Sequence, residues 1–275
     1  MQPENVAILL ATYNWPRALE LVLEALFTQT RLPDEIVIAD DGSRADTQGM
    51  IERMKAKAPQ GIAIKHVWHE DLGFRKSIIL NQSVAVVESE YIIELDGDCI
   101  PEKHFVEDHL RVAREGAYVA GSRVMISSKG SAMIQEHGLQ KSFLKRFANS
   151  ANAWRVSFLQ NILAPYYKQN NLLANRGCNI GFWRKDILTV NGYDESYIGW
   201  GHEDIDLIYR MRNAGVRKRF LKFGGVVYHL YHNKEDRSKD TFNKQKSLDA
   251  IKEKRIRAAD GVDKYLRTKE EQKDK

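Results

Sequence analysis

The clearest chemical signal in the sequence is a pair of carboxylates one residue apart. Asp96 and Asp98 flank Gly97 in a turn that directly follows the apolar run 91–95. Carboxylates spaced in this way can face one cavity, and hard divalent cations prefer such oxygen ligands. A cation held there would stabilise a diphosphate leaving group. This tripeptide is common by chance, and its place at a strand end, downstream of Asp41, favours the metal over a plain acidic turn.

A second signal lies between residues 199 and 204. Trp200 stands between two glycines, and Glu203 and Asp204 follow it at the start of a predicted helix. The face of an indole ring suits the C–H side of a sugar. The helix dipole keeps carboxylates at its N-terminus ionised, as a general base for a hydroxyl must be. Ordinary acidic capping of the helix is the alternative.

A third signal is a pair of histidines three residues apart, His229 and His232, at the end of a short apolar run. Both imidazoles could reach one metal and add nitrogen ligands to Asp98. A structural role for the histidines is the alternative that this pattern leaves open.

Asp41 offers a further binding group at the end of another apolar run. A carboxylate there can accept a hydrogen bond from the N3–H of uracil, which cytosine does not offer. The alternative is an aspartate that only caps its turn.

The elements that must position these residues alternate along the first half of the chain. Strands are predicted at 6–12, 35–39, 62–68 and 91–95, with helices at 17–27, 47–57 and 77–87 between them. Such alternation predicts an α/β domain with a mainly parallel sheet, which binds ligands beyond the carboxyl ends of its strands. Polar turns at 12–14, 40–43 and 96–98 fall at such ends, so we expect them to converge on one crevice.

Length and composition bound the organisation of the protein. The 275 residues, 43% hydrophobic and 29% charged, suit one large domain. We expect this domain at 1–240, with a nucleotide-binding half at 1–123, a basic insertion at 124–177 and a catalytic half at 178–240, followed by a charged helical tail at 241–275. The apolar runs are too short to cross a bilayer, and the N-terminus does not look like a secretory signal. The two cysteines are too few for a disulfide framework or a cysteine-rich metal site, which favours the cytoplasm.

Charge is unevenly distributed. Residues 138–185 contain eight Lys or Arg residues, interleaved with aromatic residues, and no Asp or Glu. Such a segment could bind nucleic acid, an anionic membrane surface or an acidic acceptor. A basic insertion that shields a cleft is the alternative.

Taken together, these motifs resemble family 2 inverting glycosyltransferases of the GT-A fold over about residues 5–235, and the second half resembles the β-1,4-galactosyltransferases. The motifs that carry the resemblance are Thr12-Tyr13-Asn14, Asp40-Asp41-Gly42-Ser43, the basic segment 74–81, Asp96-Gly97-Asp98, Asn191-Gly192-Tyr193-Asp194 and Trp200-Gly201-His202-Glu203-Asp204. The resemblance implies a Rossmann-like α/β/α sandwich with a mainly parallel mixed sheet, a basic helical insertion and a C-terminal helical tail.

The resemblance also implies a role for each matched residue. Binding of the nucleotide sugar would involve Thr12, Tyr13, Asn14, Asp41, Arg75, Lys76, Asp96, Gly97, Asp98 and Trp200. Asp98, His229 and His232 would bind the metal. Glu203 would hold a sugar hydroxyl, and Asp204 would be the base. The galactosyltransferase pattern has a methionine where this chain has His229, and imidazole in place of thioether should broaden tolerance towards Mg²⁺.

The expected activity is inverting transfer of galactose or an N-acetylhexosamine from a UDP-sugar to a glycan or lipid-linked glycan. We expect Mn²⁺ as the cofactor, with Mg²⁺ as the alternative, in bacterial surface polysaccharide or lipopolysaccharide synthesis. The enzyme would work in the cytoplasm, in peripheral contact with an anionic membrane and without nucleic acid. One rival, a metal-dependent nucleotidyltransferase, would need a Gly-rich loop that residues 11–14 do not provide. The other, a nucleic-acid-binding module, leaves the acidic residues of the crevice unexplained.

Overall fold

The computed structural model describes residues 2–138, 140, 151–169, 171, 175, 177–233 and 236–270. Residues 139, 141–150, 170, 172–174 and 176 of the predicted insertion, and 271–275 of the predicted tail, lie outside the described residues. The strands are β1 (Val6–Thr12), β2 (Glu35–Asp40), β3 (Ala63–Trp68), β4 (Tyr91–Asp96), β5 (Cys99–Pro101), β6 (Ala117–Ala120), β7 (Val124–Met125), β8 (Asn179–Trp183), β9 (Arg217–Phe220) and β10 (Val227–His229).

The helices of the described residues lie mainly between the strands. They are α1 (Pro16–Leu26), α2 (Ala45–Lys55), α3 (Lys76–Val86), α4 (Phe105–Val112), α5 (Ser128–His137), α6 (Ser157–Leu163), α7 (Arg184–Thr189), α8 (Glu203–Asn213), α9 (Asp240–Lys252) and α10 (Asp263–Glu270). A short 3₁₀ turn covers Ala151–Ala153. None of the described helices is long and apolar enough to cross a membrane.

Seven strands form one sheet in the order β3-β2-β1-β4-β8-β6-β9, and β5, β10 and β7 form a smaller one. Every pairing in the large sheet is parallel except those of β8, which runs antiparallel to both β4 and β6. The predicted α/β fold with a mainly parallel mixed sheet is confirmed. Since β6 and β9 run in the direction of β4, the carboxyl ends of β1, β2, β4, β6 and β9 all lie at one edge.

The core lies on both faces of the sheet because the central strands are apolar throughout. All seven residues of β1 are buried. Successive side chains of a strand point to opposite faces, so Ile8 packs in one cluster with Leu19 of α1, and Leu9 packs in the other with Leu80 of α3. This double coverage is typical of parallel sheets and fixes where the strands end.

The C-terminal segment departs from the sequence prediction. The charged helical tail predicted at 241–275 is interrupted, since α9 ends at Lys252 and α10 begins at Asp263. The non-helical stretch between them binds the domain: Val262 is buried, and its N–H donates to the carbonyl of Asn191 at 3.1 Å. Gly261 permits this approach, because a Cβ there would lie 1.9 Å from the same carbonyl oxygen. Tertiary contact with the Asn191 turn therefore breaks the helix.

Candidate active site

The predicted polar turns meet at the carboxyl edge of the sheet. The N–H of Asp41 donates to the carbonyl of Thr12 at 3.0 Å, and the N–H of Gly97 donates to the carbonyl of Ala11 at 2.7 Å. A Cβ at position 97 would lie 3.0 Å from the carbonyl oxygen of Ala11. Glycine therefore allows the turn Asp96-Gly97-Asp98, called the D-x-D turn, to lie against β1. Asn14, at φ 46°, joins two turns through a 2.8 Å hydrogen bond from its N–H to Ser43 Oγ.

Asp41 lies buried in the turn after β2. Its carboxylate accepts hydrogen bonds from His69 Nε2 at 2.7 Å and from the backbone N–H of Arg75 at 3.0 Å. Burial raises the pKa of Asp41 against the opposing effect of these two partners. Tyr13 is half exposed beside this pocket, and its hydroxyl donates to Asp71 at 2.8 Å. A carboxylate has about four lone-pair positions, so Asp41 can still accept a further N–H.

Lys76 links α3 to the D-x-D turn. Its ammonium lies 2.8 Å from Asp96 Oδ1 and 3.7 Å from Glu94 Oε1. Burial alone would lower the pKa of Lys76, but the charges of Asp96 and Glu94 outweigh it and the pKa is raised. For Asp96 burial is likewise outweighed, by Lys76, and the pKa is lowered. Arg75 does not share this contact, since its guanidinium donates to the carbonyl of Glu70.

Asp98, His229 and His232 form the candidate metal site. Their ligand atoms all lie within 4.8 Å of one another. Asp98 Oδ2 is 3.6 Å from His229 Nε2 and 3.4 Å from His232 Nε2. The small sheet sets this arrangement, because β10 pairs with β5 and the N–H of Leu230 donates to the carbonyl of Asp98 at 2.9 Å.

The hydrogen bonds that the two imidazoles make on their other nitrogen suit a cation. Nδ1 of His229 lies 2.8 Å from the carbonyl oxygen of Leu230, and Nδ1 of His232 lies 2.6 Å from that of Asn233. Such hydrogen bonds place the proton on Nδ1 and leave Nε2 as a ligand. Asp98 Oδ1 is buried with no hydrogen-bond partner among the described residues. Burial raises the pKa of Asp98 and lowers that of His229. A divalent cation would compensate the buried carboxylate, so these residues fit a metal.

The two cysteines lie together although 79 positions separate them in the sequence. Ligand atoms of Asp96, Cys99 and Cys178 all lie within 4.8 Å of one another. The cations around this second group already neutralise it: Lys76 pairs with Asp96, and Arg123 Nη1 lies 3.8 Å from Cys178 Sγ. The Asp98 cluster is therefore the better cation site.

The glycine-flanked tryptophan segment, residues 199–201, leads into α8. Gly199 and Gly201 have φ values of 80° and 105°, which favour glycine. The N–H of Gly199 donates to the carbonyl of Phe74 at 3.2 Å, which joins this segment to the donor side of the crevice. The guanidinium of Arg237 lies 4.4 Å from the ring centre of Trp200, so one face of the indole is covered.

Glu203 and Asp204 begin α8 in different environments. Asp204 accepts hydrogen bonds from the backbone N–H groups of Gly177 at 3.0 Å and Ile205 at 2.7 Å, which fix its orientation. Glu203 Oε2 is buried without a partner in the described part of the chain. Burial, with the added charge of Asp204, raises the pKa of Glu203 to about 7, which departs from the expectation that the helix dipole keeps both carboxylates ionised. Adjacent carboxylates with different surroundings can take different roles in proton transfer.

Glu94 is a buried acid of the site that sequence reasoning missed. It accepts a hydrogen bond from the hydroxyl of Tyr193, and burial raises its pKa to about 8. It also lies near Asp204, because a Cβ at Gly177 would be 3.3 Å from Asp204 Oδ2 and 3.6 Å from Glu94 Oε1. The available signal was an acidic residue inside an otherwise apolar strand. His69 and Arg123 were missed as well, and no sequence pattern marks them.

The fold, the acidic crevice and the Asp98 cluster together define a nucleotide-sugar transferase architecture. The sequence model of glycosyl transferase family 2 matches residues 7–188, and that of the N-terminal domain of galactosyltransferase matches residues 159–233. The chain belongs to glycosyl transferase family 2. Both predicted resemblances are confirmed, and membership decides for the transferase over its two rivals.

Individual relatives agree with this assignment. Chondroitin synthase of Escherichia coli is 24% identical over 249 residues, which cover 82% of this chain and 34% of the relative. The chain thus spans about a third of that relative's length. Staphylococcus aureus TarS 1-349 in complex with UDP matches with a TM-score of 0.60 and 15% identity, over 95% of this chain and 68% of that one. Mannosyltransferase PcManGT from Pyrobaculum calidifontis, in complex with GDP-Man and Mn²⁺, matches with a TM-score of 0.57 and 17% identity, over 95% of this chain and 66% of that one. These structures confirm the GT-A fold.

Proposed function

We propose that the protein is a metal-dependent inverting glycosyltransferase that transfers a sugar from a UDP-sugar to a hydroxyl of a glycan acceptor. The observation that carries this proposal is the presence of two acidic groups in one crevice. Asp98 with its two histidines suits a cation, and Glu203 with Asp204 suits proton transfer. One neighbour of the same fold is described with Mn²⁺, which supports a divalent metal.

The uridine specificity rests on Asp41. Its buried carboxylate lies beside the exposed ring of Tyr13 and can accept the N3–H of uracil. Thr12 and Asn14 line the same turn, and Lys76 lies at the entrance to the diphosphate position beside Asp96. The structural neighbours are described with UDP in one case and GDP-Man in another. Guanine also carries N–H donors, so Asp41 discriminates uracil from cytosine, and UDP must be compared with GDP directly.

The chemical step is a single displacement. A cation bound by Asp98, His229 and His232, with Mn²⁺ first and Mg²⁺ as the alternative, would supply the charge that stabilises the leaving UDP. Asp204 takes the proton of the acceptor hydroxyl, and the acceptor oxygen forms its bond to the anomeric carbon on the face opposite UDP. The bond from that carbon to the diphosphate breaks, so an α-linked donor gives a β-linked product. Glu203 holds a sugar hydroxyl, and Trp200 lines the sugar position.

The sugar is galactose or an N-acetylhexosamine, which the match to the galactosyltransferase domain supports. The acceptor is a glycan or lipid-linked glycan of bacterial surface polysaccharide or lipopolysaccharide synthesis. The chondroitin synthase relative supports an acceptor that is itself a polysaccharide. The proposed setting is the cytoplasm, at the inner face of an anionic membrane.

The deciding experiment is a calorimetric panel of UDP, GDP, CDP and UDP-sugars, each with Mn²⁺ and with EDTA. We expect metal-dependent binding of UDP and of one UDP-sugar, and weaker binding of CDP. The Asp98→Ala variant is the matched control and should lose the metal dependence. If no diphosphate binds, with or without metal, the proposal is wrong.

A further inference from the structure

The helix α6 and its flanks carry large apolar side chains that are exposed in the part of the chain that the structure describes. Trp154, Phe158, Ile162 and Tyr166 follow one another at four-residue spacing and are 65, 72, 59 and 78% exposed. These four residues are called the apolar stripe. Phe158 and Ile162 lie one turn apart on α6, whereas Trp154 precedes the helix and Tyr166 follows it. Aligned exposed apolar residues of this kind mark an interaction surface.

The opposite face of α6 anchors it to the sheet. Gln160 is fully buried, and its Nε2 donates to the carbonyl of Phe223 at 2.9 Å. The N–H of Phe220 donates to the carbonyl of Ala164 at 2.9 Å. Because Phe220 ends β9, the helix lies at the same edge of the sheet as the donor crevice. The apolar stripe therefore lies on the side of the molecule that carries the carboxyl edge of the sheet.

Cations surround the apolar stripe. Lys168 is exposed, and Lys222 lies 4.9 Å from the ring centre of Phe223. Arg114 and Arg219 both approach Asn161 Oδ1 of α6, each at 3.4 Å. The sequence has no Asp or Glu from 138 to 185. The nearby acids Asp108 and Glu107 both lie beside Arg155, at 2.9 and 3.7 Å.

Lys168, Lys222, Arg114 and Arg219 are called the cationic rim. We propose that the apolar stripe and this rim are a membrane-docking surface that binds the face of an anionic lipid bilayer. Aromatic side chains at the ends of the stripe suit the headgroup level of a bilayer, and Ile162 at its middle suits the acyl chains. Each Lys or Arg near an anionic surface strengthens binding about fivefold. Only the functional consequence, delivery of a lipid-linked acceptor to the crevice, rests on the proposed function.

Two other occupants fit the chemistry less well. A second copy of the chain would bring one cationic rim against another, and like charges across an interface oppose association. Single-stranded nucleic acid stacks its bases on aromatic rings, but Ile162, which lies between Phe158 and Tyr166 in the stripe, offers no ring to stack on. The anionic bilayer satisfies both the apolar and the cationic features.

The test is sedimentation of the full chain with sucrose-loaded vesicles, either of phosphatidylcholine alone or of equal parts phosphatidylcholine and phosphatidylglycerol. We expect the chain to bind the anionic vesicles. Combining Phe158→Ser with Ile162→Ser should lower the affinity for these vesicles by about tenfold or more. The Phe242→Ser variant is the matched control, because Phe242 is 67% exposed on α9, outside the apolar stripe. It should bind as the unaltered chain does. Lys168→Gln with Lys222→Gln should remove most of the preference for anionic vesicles.

A second measurement locates the contact. Lipids brominated in their acyl chains should quench the fluorescence of Trp154, and Trp154→Phe should remove most of that quenching. Equal vesicle binding by the Phe158 and Ile162 double variant would overturn the proposal. So would stripe-dependent self-association, or stripe-dependent binding of a single-stranded oligonucleotide in place of vesicles. Calorimetry with UDP separates the two proposals, since loss of vesicle binding in the double variant should leave UDP affinity unchanged.

Discussion

The ammonium of Lys76 lies 2.8 Å from Oδ1 of Asp96, and this contact gives the two carboxylates of the D-x-D turn different partners. Asp96 has a cation within the protein, whereas Asp98 faces two imidazoles whose Nε2 atoms lie within 3.6 Å. A second cation is thus needed only at Asp98. The turn that looks symmetric in the sequence therefore offers one carboxylate to a metal and another to a lysine.

Replacing Lys76 tests whether it is the cation that stabilises Asp96. Lys76→Met leaves Asp96 and the buried Glu94 without their cation, and we expect the free energy of unfolding to fall by about 2 kcal/mol. Urea denaturation at neutral pH measures the change. Lys76→Arg keeps the charge, so its free energy of unfolding should fall by less. The double variant Lys76→Met with Asp96→Asn should recover part of the loss, and a purely additive result would show that the two residues are not coupled.

The metal can be assigned to one of two clusters by paired substitutions. His232→Ala should weaken Mn²⁺-dependent binding of UDP by about tenfold or more, because it removes an expected ligand. Cys178→Ser is the control and should leave the Mn²⁺-dependent binding of UDP unchanged, since Arg123 and Lys76 already neutralise the cysteine cluster. Titration of UDP at several Mn²⁺ concentrations gives both affinities. The reverse pattern, with loss only in the cysteine variant, would move the metal to Asp96, Cys99 and Cys178.

Much of the fold of residues 1–123 could be predicted from the sequence because its determinants are local. Apolar runs of strand length alternate with helical patterns, and β1 was placed at 6–12 as observed. Polar turns at the ends of parallel strands must meet at one edge, so the proximity of Asp41 and Asp96 to the crevice followed from topology. The functional roles of these residues stay predictions.

The remaining features depend on contacts between distant parts of the chain. Tyr193 donates to Glu94 from 99 positions away, and no periodic pattern announces such a pair. The short strands β5 and β7 are too brief to give a pattern and exist only because β10 pairs between them. The break after Lys252 depends on the Asn191 turn, against which the tail residue Gly261 packs.

Asp204 is the proposed base, and its removal should affect turnover without affecting the donor. Asp204→Asn keeps the shape of the side chain and can still accept a hydrogen bond from Gly177, so UDP affinity should be unchanged. Transfer should fall by about 10²–10⁴-fold, the usual contribution of a general base. Glu203→Gln provides the comparison, because it alters the neighbouring carboxylate and leaves Asp204 in place. Full turnover by Asp204→Asn would assign the base to another residue.

His109 should make the protein less stable in mild acid. The imidazole is fully buried and bonded to Asn179 Oδ1 at 2.8 Å, and burial lowers its pKa from 6.5 to about 4. Because the folded state resists protonation, the contribution is fully present above pH 6.5 and is lost as the pH falls towards 4. Two and a half pH units correspond to about 3 kcal/mol. Urea midpoints across this window measure the loss.

His109→Gln isolates this contribution from the other titrating groups. The glutamine amide can still donate to Asn179 but does not titrate, so the dependence of the unfolding free energy on pH between 6.5 and 4 should become shallower. His104→Gln, at the partly exposed start of the same helix α4, is the matched control and should retain the steep dependence. If the His109 variant keeps the same slope as the unaltered chain, the acid sensitivity arises elsewhere. If both variants flatten it, the effect is not specific to the buried imidazole of His109.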